Sequence, residues 1–149
     1  MSSKIPKQGE KRRLVKDEHS QIRNSERKSI PRQGEIWLVD FNRKKIKEQS
    51  KIRPVLILSN NWQNQYNDYS VVAPLTSEEE ELQHIEVFEV LIEISKENGL
   101  DKKSKILLHR LLAIDKEERL IKKLGRVDSK IWGQVWKALW VVFTGHKLD

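Results

Sequence analysis

Arg53 opens the stretch Arg53-Pro54-Val55-Leu56-Ile57-Leu58, in which an arginine–proline pair runs straight into four consecutive aliphatic residues. Such a run reads as a strand buried on both faces, and Asn60-Asn61 then supply a turn. Proline is tolerated at a strand's start because it removes only a terminal donor, and it biases the residue before it toward extended geometry. The guanidinium is therefore projected from a stiff base. Immediately upstream, Arg43 to Lys51 carries five cations and one carboxylate, Glu48. A fixed arginine beside a basic loop suits two-pronged phosphate recognition. The structural alternative is a solvated hairpin tip with an arginine lying along its own strand.

The elements that must position this arginine follow from the patterning of the chain. Its 149 residues make one ordinary domain with a single core. The first 33 residues hold ten Lys/Arg against four Asp/Glu, so the net charge of +7 is concentrated there and only +1 is left for the rest. Residues 1–30 are poor in apolar side chains and read as a basic flexible extension, with a short helix over 16–28 as an option. A basic extension is compatible with nucleic acid and equally with plain solvation. The domain proper is assigned to 31–149. Its strands are expected at Glu35–Phe41, Arg53–Ser59, Tyr69–Pro74, Ile85–Ile94 and Ser104–Leu112, with Asn60–Asp68 as a loop whose Trp62 and Tyr66 either cover a core edge, the favoured reading, or stack bases. By propensity Asp115–Gly125 is a capped helix. The final element is a helix capped by Asp128, with Ile131, Trp132, Val135, Trp136, Leu139, Trp140, Val142 and Phe143 recurring at helical spacing. Five strands and one closing helix describe a mainly β fold, a small antiparallel barrel with a helix packed on it.

Composition excludes several classes of function. With no cysteine there is neither a disulfide framework nor a thiolate metal site, and His19, His84, His109 and His146 are scattered, so no metal or cofactor is expected. No signal-peptide core or membrane-spanning apolar run is evident, which points to a soluble cytoplasmic protein. The aromatic helix face is read as core or subunit interface and predicts a homodimer.

With these elements placed, the chain resembles the PemK/MazF family of toxin endoribonucleases from about Arg32 to Phe143. The residues that carry the resemblance are Arg32-Gln33-Gly34-Glu35-Ile36-Trp37-Leu38-Val39-Asp40-Phe41, Glu48-Gln49, Arg53-Pro54-Val55-Leu56-Ile57, Val72-Ala73-Pro74-Leu75-Thr76-Ser77, and Ala113-Ile114-Asp115-Lys116 with Arg119-Leu120. The resemblance implies an SH3-like barrel with a C-terminal helix, a homodimer whose cleft takes single-stranded RNA, and a cognate antitoxin that blocks the cleft. It also implies metal-independent cleavage to a 2′,3′-cyclic phosphate and a 5′-hydroxyl, and a strand at Lys122–Val127 in place of part of the predicted helix. Carried over residue by residue, it makes Arg53 the principal catalytic group, Thr76 the hydroxyl on the scissile phosphate and Glu48 the candidate proton acceptor. Asn42, Lys47, Gln49, Lys51, Ser77, His109 and Arg110 are assigned to RNA binding. The chemistry is consistent with those residue types. RNA brings its own nucleophile, the 2′-hydroxyl, so a protein need only align it, move two protons and stabilise extra phosphoryl charge. An arginine does not release its proton in proteins, which is why a neighbour such as Glu48 is needed.

Two departures from the family pattern stand out. His109, Arg110 and Leu112 occupy positions where the family carries an acid–glutamine pair and then a basic residue, and Ser50-Lys51-Ile52 replaces the usual glycines before the arginine. Both bear on which bases are read. Two rival functions share the fold: a gyrase-poisoning binding protein like CcdB, and a barrel that binds RNA without cutting it. Arg53 together with Thr76 argues against the first.

Overall fold

The computed structural model describes residues 30–42 and 51–148. The basic extension, its optional helix over 16–28, and the loop residues Lys47, Glu48 and Gln49 lie outside the described residues. Seven strands, not five, form one antiparallel sheet: β1 (Glu35–Asp40), β2 (Ile52–Ile57), β3 (Tyr69–Thr76), β4 (Glu89–Ile92), β5 (Ser104–Leu107), β6 (Leu112–Asp115) and β7 (Leu120–Arg126). Their order is β4-β5-β3-β2-β1-β7, with β6 pairing β3. Among the described residues there are also four α-helices: α1 (Asn61–Tyr66), α2 (Glu79–Leu82), α3 (Lys116–Arg119) and α4 (Ser129–Thr144).

Alternation along the strands gives the sheet two apolar faces. Ile36, Leu56, Ala73, Leu75, Val90, Ile92 and Ile106 face α4 and meet its Val135 and Ala138 in the larger core. Trp37, Val39, Val55, Ile57, Val72, Ile114 and Leu120 face the other way and fill a smaller core around which β6, β3, β2, β1 and β7 curl. The curl does not become a closed barrel, because β6 and β7 are joined by the single turn of α3 and not by a ladder. Docking of a turn completes part of the enclosure. Glu97 accepts a hydrogen bond from the Arg126 N–H at 2.9 Å, which seats the β4–β5 connection on β7.

Four segments differ from the sequence-based expectation, each for a local reason. Of the strand expected at Ile85–Ile94 only Glu89–Ile92 forms, because a turn in which the Glu89 N–H donates to the Glu86 carbonyl at 3.0 Å precedes it. Asn60–Asp68 contains the helix α1, since the Asn60 side chain caps it by accepting from the Gln63 N–H at 2.8 Å. Fully buried Asn64 then accepts from the Ser70 hydroxyl at 2.8 Å and donates to the Ser59 carbonyl at 2.8 Å, satisfying an amide that would otherwise be costly to bury. The expected fifth strand is broken by the 3-10 turn Leu108–Arg110 into β5 and β6, which pair with opposite ends of β3. In Asp115–Gly125 only one helical turn survives. Asp115 caps it by accepting from the N–H groups of Glu117 and Glu118, and Leu120 onward pairs with β1. Strand pairing and burial of Leu120 outweigh local helix propensity.

The terminal helix is as the periodicity predicts. Asp128 caps it by accepting from the Ile131 N–H at 2.8 Å, and Gly145 at φ 74° ends it in the left-handed conformation.

One buried carboxylate ties the sheet together. Burial alone would raise the Glu35 pKa. Donation from the Trp37 indole at 3.0 Å, the Lys123 ammonium at 2.9 Å and the Arg32 N–H at 2.7 Å outweighs that and holds it below the usual glutamate range. A depressed carboxyl contributes stability that is fully present above its unfolded pKa, about 4.3, and is lost as pH falls through the lower folded value. Glu35→Gln is therefore expected to flatten the decline of melting temperature below about pH 4. Parallel wild-type and variant acid titrations check this, and curves of identical slope would contradict it.

Candidate functional site

The site residues gather on the sheet face opposite α4. In β2, Arg53 alternates with Val55 and Ile57, both in the smaller core, so its side chain shares their face but emerges at the exposed rim. Val39 pairs with Leu120 on one side and with Arg53 on the other. Between β2 and β3 the register runs Ile57↔Val72, Leu56↔Ala73, Val55↔Pro74, and continuing it by two residues sets Thr76 opposite Arg53. Thr76 in turn pairs with Lys105, and Lys105 with Leu91. The pairs fall in two cross-strand rows, Leu120–Val39–Arg53 and Thr76–Lys105–Leu91, which the β2–β3 register, extended two residues beyond its last pair at Val55↔Pro74, lines up end to end.

Within these rows the polar groups are in different states. Among the described residues the Arg53 guanidinium has no hydrogen-bond or ion-pair partner, and it is exposed. Thr76 is 7% exposed, and its hydroxyl oxygen accepts from the Glu78 N–H at a long 3.5 Å. Lys105 is 3% exposed and donates to the Glu89 carboxylate at 3.0 Å and to the His84 carbonyl at 3.1 Å, with Glu81 at 3.4 Å. Burial would lower the Lys105 pKa, but the Glu89 and Glu81 carboxylates reverse this and raise it, so the ammonium stays charged. Glu89 shifts the opposite way. Burial raises its pKa, and the Glu86 N–H, Lys105 and the nearby His109 together hold it low.

The other candidates among the described residues are Asn42, Lys51, Ser77, His109 and Arg110. Asn42 and Lys51 stand at the two ends of the 43–50 segment, where Phe41 N–H donates to the Lys51 carbonyl at 2.9 Å and Asn42 N–H to the Asp40 carboxylate at 2.9 Å. Ser77 follows Thr76. His109 and Arg110 are exposed on the 3-10 turn directly after β5, and the His109 ring packs on Phe88 with centroids 4.4 Å apart. The extended register thus lines Arg53 up with Thr76 and its neighbour Ser77, and His109 lies close enough to Glu89 to lower its pKa. Lys105 was missed by sequence reasoning. A lysine inside the apolar run Ile106-Leu107-Leu108 and its preceding serine was the available signal, because a charge there must be paired once buried. Among the described residues no group of three His, Cys, Asp or Glu could hold a metal ion. No described helix is long and apolar enough to cross a membrane.

A mainly antiparallel sheet carrying a terminal helix, with an exposed arginine at one strand entry and a nearly buried threonine at another strand's end, defines a class that comparison makes specific. The family model for the PemK-like, MazF-like toxin of type II toxin–antitoxin systems matches residues 32–143, and the chain belongs to that family. Among curated relatives, it is 28% identical over 113 residues to endoribonuclease EndoA of Bacillus subtilis, covering 74% of this chain and 91% of the relative. It is 35% identical over 111 residues to endoribonuclease MazF of Staphylococcus saprophyticus, covering 72% and 87%. Among solved structures, MazF of Deinococcus radiodurans superposes with a TM-score of 0.61 at 21% identity, covering 79% of this chain and 99% of that one. A mycobacterial endoribonuclease in complex with its cognate antitoxin superposes at 0.60 with 21% identity, covering 80% and 99%. These last two likenesses establish the fold.

Proposed function

We propose that this toxin is an endoribonuclease that cuts single-stranded RNA without a metal, using Arg53 and Thr76 on the scissile phosphate. The observation that carries the reading is the exposed Arg53 guanidinium, without a partner among the described residues, at a strand entry that the extended β2–β3 register lines up with Thr76. Attack of the ribose 2′-oxygen on phosphorus forms the cyclic phosphate and breaks the bond to the 5′-oxygen, which leaves as a hydroxyl after gaining a proton. Two equatorial oxygens gain charge at the transition state. Arg53 offers a planar fork to them and Thr76 a hydroxyl donor, both held by strands and so requiring little reorganisation. Glu48 is the acceptor assigned to the 2′-proton. Lys47, Gln49, Lys51, Asn42, Ser77, His109 and Arg110 are assigned to the RNA path, with the cations supplying most of the electrostatic attraction. The relatives named as endoribonucleases support the activity, and a toxin that acts on RNA is read as working in the cytoplasm. The purified protein is expected to cut RNA in EDTA and to leave cyclic-phosphate and 5′-hydroxyl ends. Dependence on added metal, or intact RNA, would favour the two non-cleaving readings. A cognate antitoxin that covers these rows is read in the same assay as inhibition.

The proposed active form is a homodimer. Trp136 is 55% exposed, Trp140 48% and Phe143 72%, which leaves one side of α4 with more aromatic surface in water than a monomer of this size ordinarily carries. Trp132 and Trp136 make an edge-to-face contact at 6.2 Å that links this side to the core. Sedimentation at micromolar concentration is expected to give a dimer that Trp140→Glu dissociates. A monomeric wild-type protein would end the proposal.

A further inference from the structure

We propose that Lys105 is a positioning residue for Thr76: from inside the fold its ammonium clamps the segment 77–89, and this fixes where the threonine hydroxyl stands relative to Arg53. The proposal rests on the reading of Thr76 as a phosphate-binding group and extends it to a residue that never touches RNA.

Three observations carry it. Thr76 is the last residue of β3, where a ladder ordinarily frays, yet it is nearly buried. Its partner in the ladder is Lys105, so the two side chains leave the same face of the sheet side by side. The three polar contacts of the Lys105 ammonium, to Glu81, the His84 carbonyl and Glu89, are spread along the chain that continues from Thr76. An ammonium has three donors, and here one buried point draws a whole connection back over the end of β3.

The clamp also governs charge. Glu78 to Glu81 begin two residues after Thr76, where four carboxylates would repel a phosphate. Lys105 pairs with the half-exposed Glu81 at 3.4 Å and compensates its charge. A buried ion pair gives little stability that apolar side chains of equal size would not give, so the arrangement is better explained by what it holds in place.

Two variants loosen the clamp in different ways. Lys105→Met/Glu89→Gln removes the buried pair together, so that no lone charge is left inside, and Glu81→Gln removes only the half-exposed partner. Single-turnover cleavage is expected to slow roughly 10- to 100-fold, the size of effect that a small misplacement of a catalytic group produces. Affinity for a non-cleavable 2′-deoxy substrate is expected to stay within twofold of wild type. Introduced into Thr76→Val, either change is expected to slow cleavage little further, because a residue acting through the hydroxyl has nothing left to position. Wild-type cleavage by the double variant overturns the proposal, as does a loss that adds in full to that of Thr76→Val. Should the double variant not fold, Glu81→Gln decides by the same two criteria. Wild-type cleavage by Thr76→Val itself is a separate result: it removes the underlying reading of Thr76, and the positioning role with it.

Discussion

Arg53→Lys is expected to cleave RNA nearly as slowly as Arg53→Ala, although it keeps the positive charge. A lysine ammonium is a compact point donor and cannot place two parallel N–H groups on two phosphoryl oxygens, which is what the planar guanidinium does. Loss of one preorganised donor of this kind typically costs roughly 10²–10³ in rate, or about 3–4 kcal/mol at the transition state. Ground-state affinity should fall much less, because Lys51 and the cations of 43–50 remain to attract the backbone. The fold should be untouched, since the Arg53 side chain is exposed and has no partner among the described residues. Thr76→Val, close to isosteric, is expected to show a comparable rate loss. Its melting temperature should change little because the hydroxyl makes only one long hydrogen bond. Single-turnover cleavage in EDTA, with melting curves for each variant, separates these effects. An Arg53→Lys protein that cuts at the wild-type rate would show that charge alone suffices and that the fork is not used.

The parts of this molecule that sequence reveals are those set by local chemistry. Arg53-Pro54 before four aliphatic residues marks a strand entry in any context, and Asp128 before the spaced apolar residues marks a helix start. What sequence does not reveal is set by partners far along the chain. Whether Leu120–Arg126 is helix or strand depends on β1 lying alongside it, and nothing in Leu-Ile-Lys-Lys-Leu announces that neighbour. The break at Leu108–Arg110 exists because β3 hands its pairing from β5 to β6 within one strand. Lys105 illustrates the same limit within the site. Its meaning comes from Glu81, His84 and Glu89 meeting it in space, and in the sequence these stand 16 to 24 residues away. Arg53 and Thr76 were legible as candidates, whereas their alignment required the register.

Gly125→Ala is expected to be strongly destabilising for the change of a single methyl group. A Cβ at this position would stand 2.2 Å from the Glu97 carbonyl oxygen, 2.6 Å from the Asn98 carbonyl carbon and 2.8 Å from its oxygen, all backbone atoms that no rotamer change can move aside. The contact is tight from the other side as well. Gly99, at φ 69°, brings its own Cβ position within 2.0 Å of the Leu124 carbonyl oxygen. Relief requires the 95–99 turn to lift off β7, which breaks the bond from Arg126 N–H to Glu97. It also disturbs buried Asn98, whose side chain accepts from Leu100 N–H at 2.9 Å and donates to the Glu93 carbonyl at 2.8 Å. Leu100 would be drawn out of the larger core with it. Overpacking costs about 1–3 kcal/mol and each lost hydrogen bond about 1 kcal/mol, so a total near 3 kcal/mol is expected, a fall of roughly 10 °C in melting temperature. Gly133→Ala is the matched control. It adds the same methyl on the exposed side of α4 with nothing within 4 Å, and there alanine should stabilise by up to about 1 kcal/mol. Melting curves of the two variants measure the difference directly. If Gly125→Ala melts with the wild type, the turn does not seat on β7 at this position, and the enclosure of the sheet at that edge must be made some other way.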